Sequence, residues 1–213
     1  MAHRLPFRAR MACAVLLGLL LPCSALTADE VKVIRVEEDW ELVVGDPDSG
    51  SVAPQVVCVI SPTGGVEGLH ATFEINHQNL PQFVAGGMQL QLWHGDDSLF
   101  VEKHAENAVM ATAGETVRWT TVMLWVPCGV KFGVFDGSST TWGNFGSNEL
   151  NVSTQCGLDS LNGYNPAVSV AESGVGFAGN RVSSLKLLRV RLTLENGTVL
   201  VHNTPTVVHP VAD

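Results

Sequence analysis

Residues 185–203 read LKLLRVRLTLENGTVLVHN, and the alternation in this stretch decides the fold class. Leu188, Val190, Leu192 and Leu194 recur at every second position, the period that lines one face of a β-strand. Leu185 and Leu187 have the opposite parity, so a β-bulge near Leu187 and Leu188 is needed to bring both sets together. Asn196-Gly197 predicts a two-residue type I′ turn, since both central positions of that turn need positive φ. The chain then returns as a second strand.

Working outward, the same pattern recurs. Trp40, Leu42 and Val44 alternate in a strand that opens the domain. PQVVCVI (54–60) is apolar at nearly every position and reads as a central strand with both faces covered. In HATFEIN (70–76), Ala71, Phe73 and Ile75 face one way, and Thr72, Glu74 and Asn76 the other. In GGMQLQLWHGDD (86–97), Met88, Leu90 and Leu92 oppose Gln89, Gln91 and Trp93, and HGDD turns into SLFVEK as a hairpin. ETVRWTTVMLWV (115–126) is the longest strand candidate. HAENAVMATAG (104–114) is the one candidate for a helical turn. Short apolar runs separated by Gly, Pro, Asn and Asp predict an all-β chain. We expect a single two-sheet antiparallel β-sandwich of jelly-roll type with roughly 10–12 strands and little helix. A closed barrel is the alternative.

Composition agrees with that class. Only 15% of the 213 residues are charged and 46% are hydrophobic, which suits one domain with a sizeable core. The first ten residues carry Arg4, Arg8 and Arg10, and MACAVLLGLLLP follows. This has the form of a signal peptide and is short for a bilayer span. We therefore expect a signal peptide over 1–28, cleavage after Ala28, and one sandwich domain over 29–213. The mature chain is then secreted or otherwise extracytoplasmic, with no transmembrane segment. Cys23 lies in the leader, and whether it is removed or lipidated stays open. The formal net charge is −9, and loss of three arginines makes it −12. So acidic a chain repels phosphate backbones, which argues against nucleic acid as a partner. Arg181, Lys186, Arg189 and Arg191 cluster near the end and read as the solvent face of a strand.

Three cysteines remain after the leader: Cys58, Cys128 and Cys156. Cys58 lies in an apolar run and reads as a packed thiol. Cys128 and Cys156 each precede a glycine, and we expect them to form a disulfide, although Cys58 could pair with either.

Motifs for chemistry are sparse. No G-x-S-x-G elbow occurs, and His70, His77, His94, His104, His202 and His209 show no close ligand spacing. Asp46 and Asp48 in DPDSG resemble the start of a calcium loop, but Val57 occupies the twelfth position, where an acid is required. No cofactor is expected, and a structural calcium cannot be assigned to residues. Asp96, Asp97, Asp136, Glu149, Asp159 and Glu172 are the carboxylates a glycosidase would draw on.

DGSSTTWGNFG (136–146) places large aromatics in a loop composition. Trp142 and Phe145, with Asp136, Asn144 and Tyr164, form a candidate ligand-binding set: rings to stack on a sugar and polar groups to hydrogen-bond it. For Trp142 itself, a plug of the sandwich core is the favoured reading and ligand contact the alternative. Asn151 and Asn196 begin glycosylation-type sequons.

VRWTTVMLWVPCGVKFGVFDGSSTTWG (117–143) resembles the central hairpin of laminin-G and concanavalin-type lectin sandwiches. That resemblance implies a two-sheet jelly roll and, for many members, glycan binding near calcium. The family's calcium ligands find no counterparts here. The expectation is an exported non-catalytic recognition module for a polysaccharide or envelope component, with carbohydrate or an envelope protein as partner. A structural or assembly protein of the envelope or matrix comes second, and a polysaccharide-active glycosidase or lyase third.

Overall fold

The computed structural model describes residues 30–46, 54–76, 87–105, 110, 112–175 and 181–209. The expected signal peptide, Cys23, His77 and Asp48 lie outside them.

The terminal stretch folds as a bulged hairpin. The long strand β11 (Val182–Leu194) pairs with β1 (Val33–Val44), and the register slips between Asp39↔Arg189 and Trp40↔Leu187. Leu188 is the extra residue, so Leu185, Leu187 and Val190 all point into the core. The turn differs from expectation. The Gly197 amide donates to the Leu194 carbonyl and the Leu194 amide to the Thr198 carbonyl. Positive φ falls on Gly197 alone, at 84°. This is a three-residue loop closed by a glycine bulge. The Asn196 side chain accepts from the Thr198 amide at 2.9 Å, so it acts as a turn acceptor rather than as a left-handed residue.

The remaining strands are β2 (Val56–Ile60), β3 (Leu69–Ile75), β4 (Gly87–His94), β5 (Asp97–Ala105), β6 (Thr116–Val126), β7 (Gly129–Ser139), β8 (Gly143–Phe145), β9 (Asn151–Gln155), β10 (Gly174–Val175), β12 (Val199–His202) and β13 (Thr206–His209). They form two antiparallel sheets. The first runs β12-β11-β1-β6-β7-β8, with β13 also on β11 and β9 also on β7. The second runs β10-β2-β3-β4-β5. The chain is thus an all-β two-sheet antiparallel sandwich, compatible with a jelly roll. The strand expected to open the domain from Trp40, Leu42 and Val44 is β1, which begins already at Val33. A short helix, α1 (Pro166–Glu172), lies between β9 and β10. Asn165 caps it by accepting from the Ala167 amide, and Pro166 fills the first turn, where no donor is needed. The candidate turn at 104–114 lies partly outside the described residues.

The core sits between the sheets. Trp40 and Trp119 stack with centroids 6.5 Å apart, and Phe73 from the opposite sheet meets Trp119 edge-on at 5.5 Å. Trp142 and Phe145 belong to this core, in a T-shaped contact at 5.7 Å. Outside the first sheet the charges pair across the strands. Arg189 meets Asp39, Arg191 meets Glu37, and Arg118 meets Glu41. Arg189 and Arg191 of the basic cluster thus belong to an ion-pair ladder, whereas Arg181 is buried and donates to the Gly45 carbonyl instead of lying on the solvent face. Cys128 and Cys156 carry free thiols, not the expected disulfide.

Candidate functional site

Two groups of polar side chains are withdrawn from solvent, one inside the sandwich and one on its outer side. The inner group follows from the parity of β1. Val36, Trp40, Leu42 and Val44 point inward, and Glu38 shares their parity, so its carboxyl is carried between the sheets with no solvent exposure. Such a group must find hydrogen bonds. Tyr164 donates to Glu38 Oε1 at 2.8 Å, Thr121 to Oε2 at 3.0 Å and Trp40 Nε1 to Oε2 at 3.3 Å. Ser169 of α1 lies beside the carboxyl, but its hydroxyl meets no partner in hydrogen-bond geometry. Burial raises the Glu38 carboxyl, outweighing these hydrogen bonds, which act to lower it. Cys58 and Tyr164 are raised too, first by burial and then by the charge of Glu38. This group holds the 156–165 connection, and with it the start of α1, against the core.

The outer group lies on the second sheet. Leu69, Ala71, Phe73, Ile75, Met88, Leu90 and Leu92 face the core, which turns the alternate positions of β3 and β4 outward. Register then sets three cross-strand layers: Glu74 opposite Gln89, Thr72 opposite Gln91, and His70 opposite Trp93. His70, Thr72, Glu74, Gln89 and Gln91 are each less than a tenth exposed. Gln89 Nε2 donates to Glu74 Oε2 at 3.2 Å and to Gln91 Oε1 at 2.8 Å. Gln91 Nε2 donates to Ser98 Oγ at 2.7 Å, and Trp93 Nε1 to Thr72 Oγ1 at 3.1 Å. Trp93 and His70 stack with an interplanar angle of 7°. Asn76, at the end of β3, is fully buried with φ of 49°, and neither side-chain amide atom has a partner. One carboxylate and an amide donor in contact, on rigid strands and shielded from water, can move a proton and hold a developing oxyanion.

The residues singled out from the sequence are dispersed. Trp142 is 8% exposed and Phe145 6%, so their rings face the core and offer no platform to a sugar. Asn144 and Asp136 are exposed, Asp136 at a bulge of β7 with φ of 52°. Tyr164 gives its hydroxyl to Glu38. A surface cavity of about 420 Å³ lies between α1 and β11–β13, floored by Val170, Leu187 and Val190 with Arg189 at its edge. Arg189 is engaged by Asp39, and no acid–amide pair lines the cavity. Among the described residues no cluster of three or more His, Cys, Asp or Glu could hold a metal ion. Nor is any helix among them long and apolar enough to cross a membrane. Sequence reasoning placed Glu74, Gln89 and Gln91 on the polar side of their strands but missed them as a site. The available signal was the juxtaposition of HATFE and QLQLW, two strands whose non-core faces carry a carboxylate and two amides.

No protein-family model and no curated protein sequence matches the chain. The likeness to laminin-G and concanavalin-type sandwiches therefore stays one of hairpin pattern, met by β6 and β7. Among solved structures, the chain is similar to scytalido-glutamic peptidase bound to a transition state analog inhibitor. The TM-score is 0.34, with 11% identity over 82% of each chain. SCP-B, an eqolisin-family peptidase solved with the tripeptide Ala-Ile-His, gives a TM-score of 0.17 and 13% identity over 84% of this chain and 89% of that one. The rings expected to hold a sugar, Trp142 and Phe145, are buried in the core. The expectation of a non-catalytic recognition module is corrected accordingly, and its assembly and glycosidase alternatives are not carried forward.

Proposed function

We propose that the polar face of β3 and β4 hydrolyses an acyl bond, with peptides as the first substrate class. The observation that supports this is the 3.2 Å contact between Gln89 Nε2 and Glu74 Oε2 in a face shielded from solvent. Glu74 accepts a proton from an attacking water while the water oxygen bonds to the carbonyl carbon. The Gln89 amide leaves its resting contact and donates to the oxygen that gains the negative charge. On collapse the carbon–nitrogen bond breaks, and Glu74 returns its proton to the departing amine. A single carboxylate serves this chemistry, whereas glycoside hydrolysis uses two. Catalysis requires this nearly buried face to open to the substrate. We also propose that the chain is exported, on the strength of its basic and then apolar first residues.

The test is incubation of the protein with a mixed peptide library from pH 2 to pH 8, with cleavage read by mass spectrometry. The Glu74→Gln and Gln89→Ala variants run beside it once thermal melts show both folded. Cleavage by the wild type that each variant loses by at least about a hundredfold is the expected result. No cleavage at any pH, or equal cleavage by the variants, rejects the proposal.

A further inference from the structure

Strand β9 pairs with β7 in a register that sets Gly129 opposite Gln155. One step further, the Cys156 amide donates to the Cys128 carbonyl at 3.0 Å. The two cysteines therefore face each other across the end of the ladder. Opposed residues of an antiparallel ladder have Cα atoms about 4.5–5.5 Å apart, inside the roughly 4.4–6.8 Å that a disulfide spans. Cys128 is exposed and Cys156 half-buried, so a small oxidant reaches them. Cys128 is also the second residue of the Pro127-Cys128 turn and holds φ at 69°, a conformation in which glycine is the unstrained choice. Cys58 is buried in the core, so it competes poorly for either partner.

We propose that Cys128 and Cys156 are an oxidation site that closes into an intrachain disulfide, independently of the activity assigned to β3 and β4. The exposed Cys128 loses its proton and attacks a small disulfide, such as oxidised glutathione, releasing one small thiolate. Cys156 loses its proton and attacks the mixed disulfide at the Cys128 sulfur, releasing the second. Two protein thiols are oxidised and one small disulfide is reduced to two thiols. The new bond ties the tip of the β6–β7 hairpin to the end of β9. It also anchors the start of the connection that brings the Leu158 carbonyl to Trp125 Nε1 at 2.7 Å and Tyr164 to Glu38.

The experiment equilibrates the full chain with reduced and oxidised glutathione, quenches by alkylation and maps the peptides. One cross-linked Cys128–Cys156 peptide with Cys58 alkylated is expected. The oxidised protein should melt roughly 10 °C above the reduced one. Cys128→Ser and Cys156→Ser should each abolish that difference, whereas Cys58→Ser leaves it. Three alkylated cysteines under oxidising conditions, a bond to Cys58, intermolecular dimers, or a bond without the rise in Tm would each overturn the proposal.

Discussion

The Tyr164 hydroxyl donates a 2.8 Å hydrogen bond to Glu38 Oε1, joining the connection before α1 to the first strand of the domain across 126 residues of sequence. The bond does two jobs. It satisfies a carboxyl with no access to water, and it fixes the approach of α1 to the open side of the sandwich. Tyr164→Phe keeps the ring and removes the donor. The partner oxygen is then buried with one fewer hydrogen bond, a loss of about 1–3 kcal/mol. Chemical denaturation should show that loss, and amide exchange should rise first over 161–173. Unchanged exchange there would separate Tyr164 from the placement of the helix.

The same carboxyl makes stability depend on pH with a definite sign. Burial raises Glu38 above its ordinary value of 4.5. Through that window the folded chain holds a proton that the unfolded chain has released. The contribution is fully present below about pH 4.5 and is lost as pH rises through the raised value. While Glu38 is protonated only in the folded state, the slope is about −1.4 kcal/mol per pH unit. Other carboxylates titrate nearby, among them those of the ion-pair ladder, so the informative quantity is the difference between wild type and Glu38→Gln. That difference should shift against the wild type as pH rises above about 4.5. A constant difference from pH 4 to pH 8 would mean that Glu38 ionises as freely in the folded protein as in the unfolded one.

Glu38 also shows where the sequence stops being legible. Period-two alternation in β1 revealed Trp40, Leu42 and Val44, because apolar side chains announce their face. A carboxylate at the same parity reads as an interruption, since only its distant partners, Thr121 and Tyr164, make its burial tolerable. The terminal hairpin was readable down to its bulge, because Leu187 and Leu188 clash in parity within one strand. Its turn was misread because Asn-Gly favours two different loops, and the strand register chooses between them. The Glu74–Gln89 row failed for a related reason. Alternation marked its members as outward, and an outward face is assumed wet. That this one is shielded depends on packing that no local pattern encodes.

At Trp142 the packing decides between two readings of the sequence, a core plug and a ligand platform, in favour of the plug. Its position is set by neighbours that leave it no alternative. The Trp142 amide donates to Ser139 Oγ at 2.8 Å, Glu115 accepts from the Thr141 amide at 2.6 Å, and Phe145 closes edge-on against the ring. Gly137 lies against that Phe145 ring so closely that a Cβ there would overlap it. Two substitutions therefore probe one packing unit from opposite sides. Trp142→Ala leaves a cavity and should cost about 3–5 kcal/mol. Gly137→Ala overfills the site and should cost about 1–3 kcal/mol, since the ring must shift. If both act on the same contact, the double variant loses less than the sum of the two, because the space vacated by Trp142 lets Phe145 move away from the new methyl. Denaturant unfolding of the four proteins tests this. A Trp142→Ala protein as stable as the wild type, or strictly additive losses, would show that the ring does not hold this end of the core together.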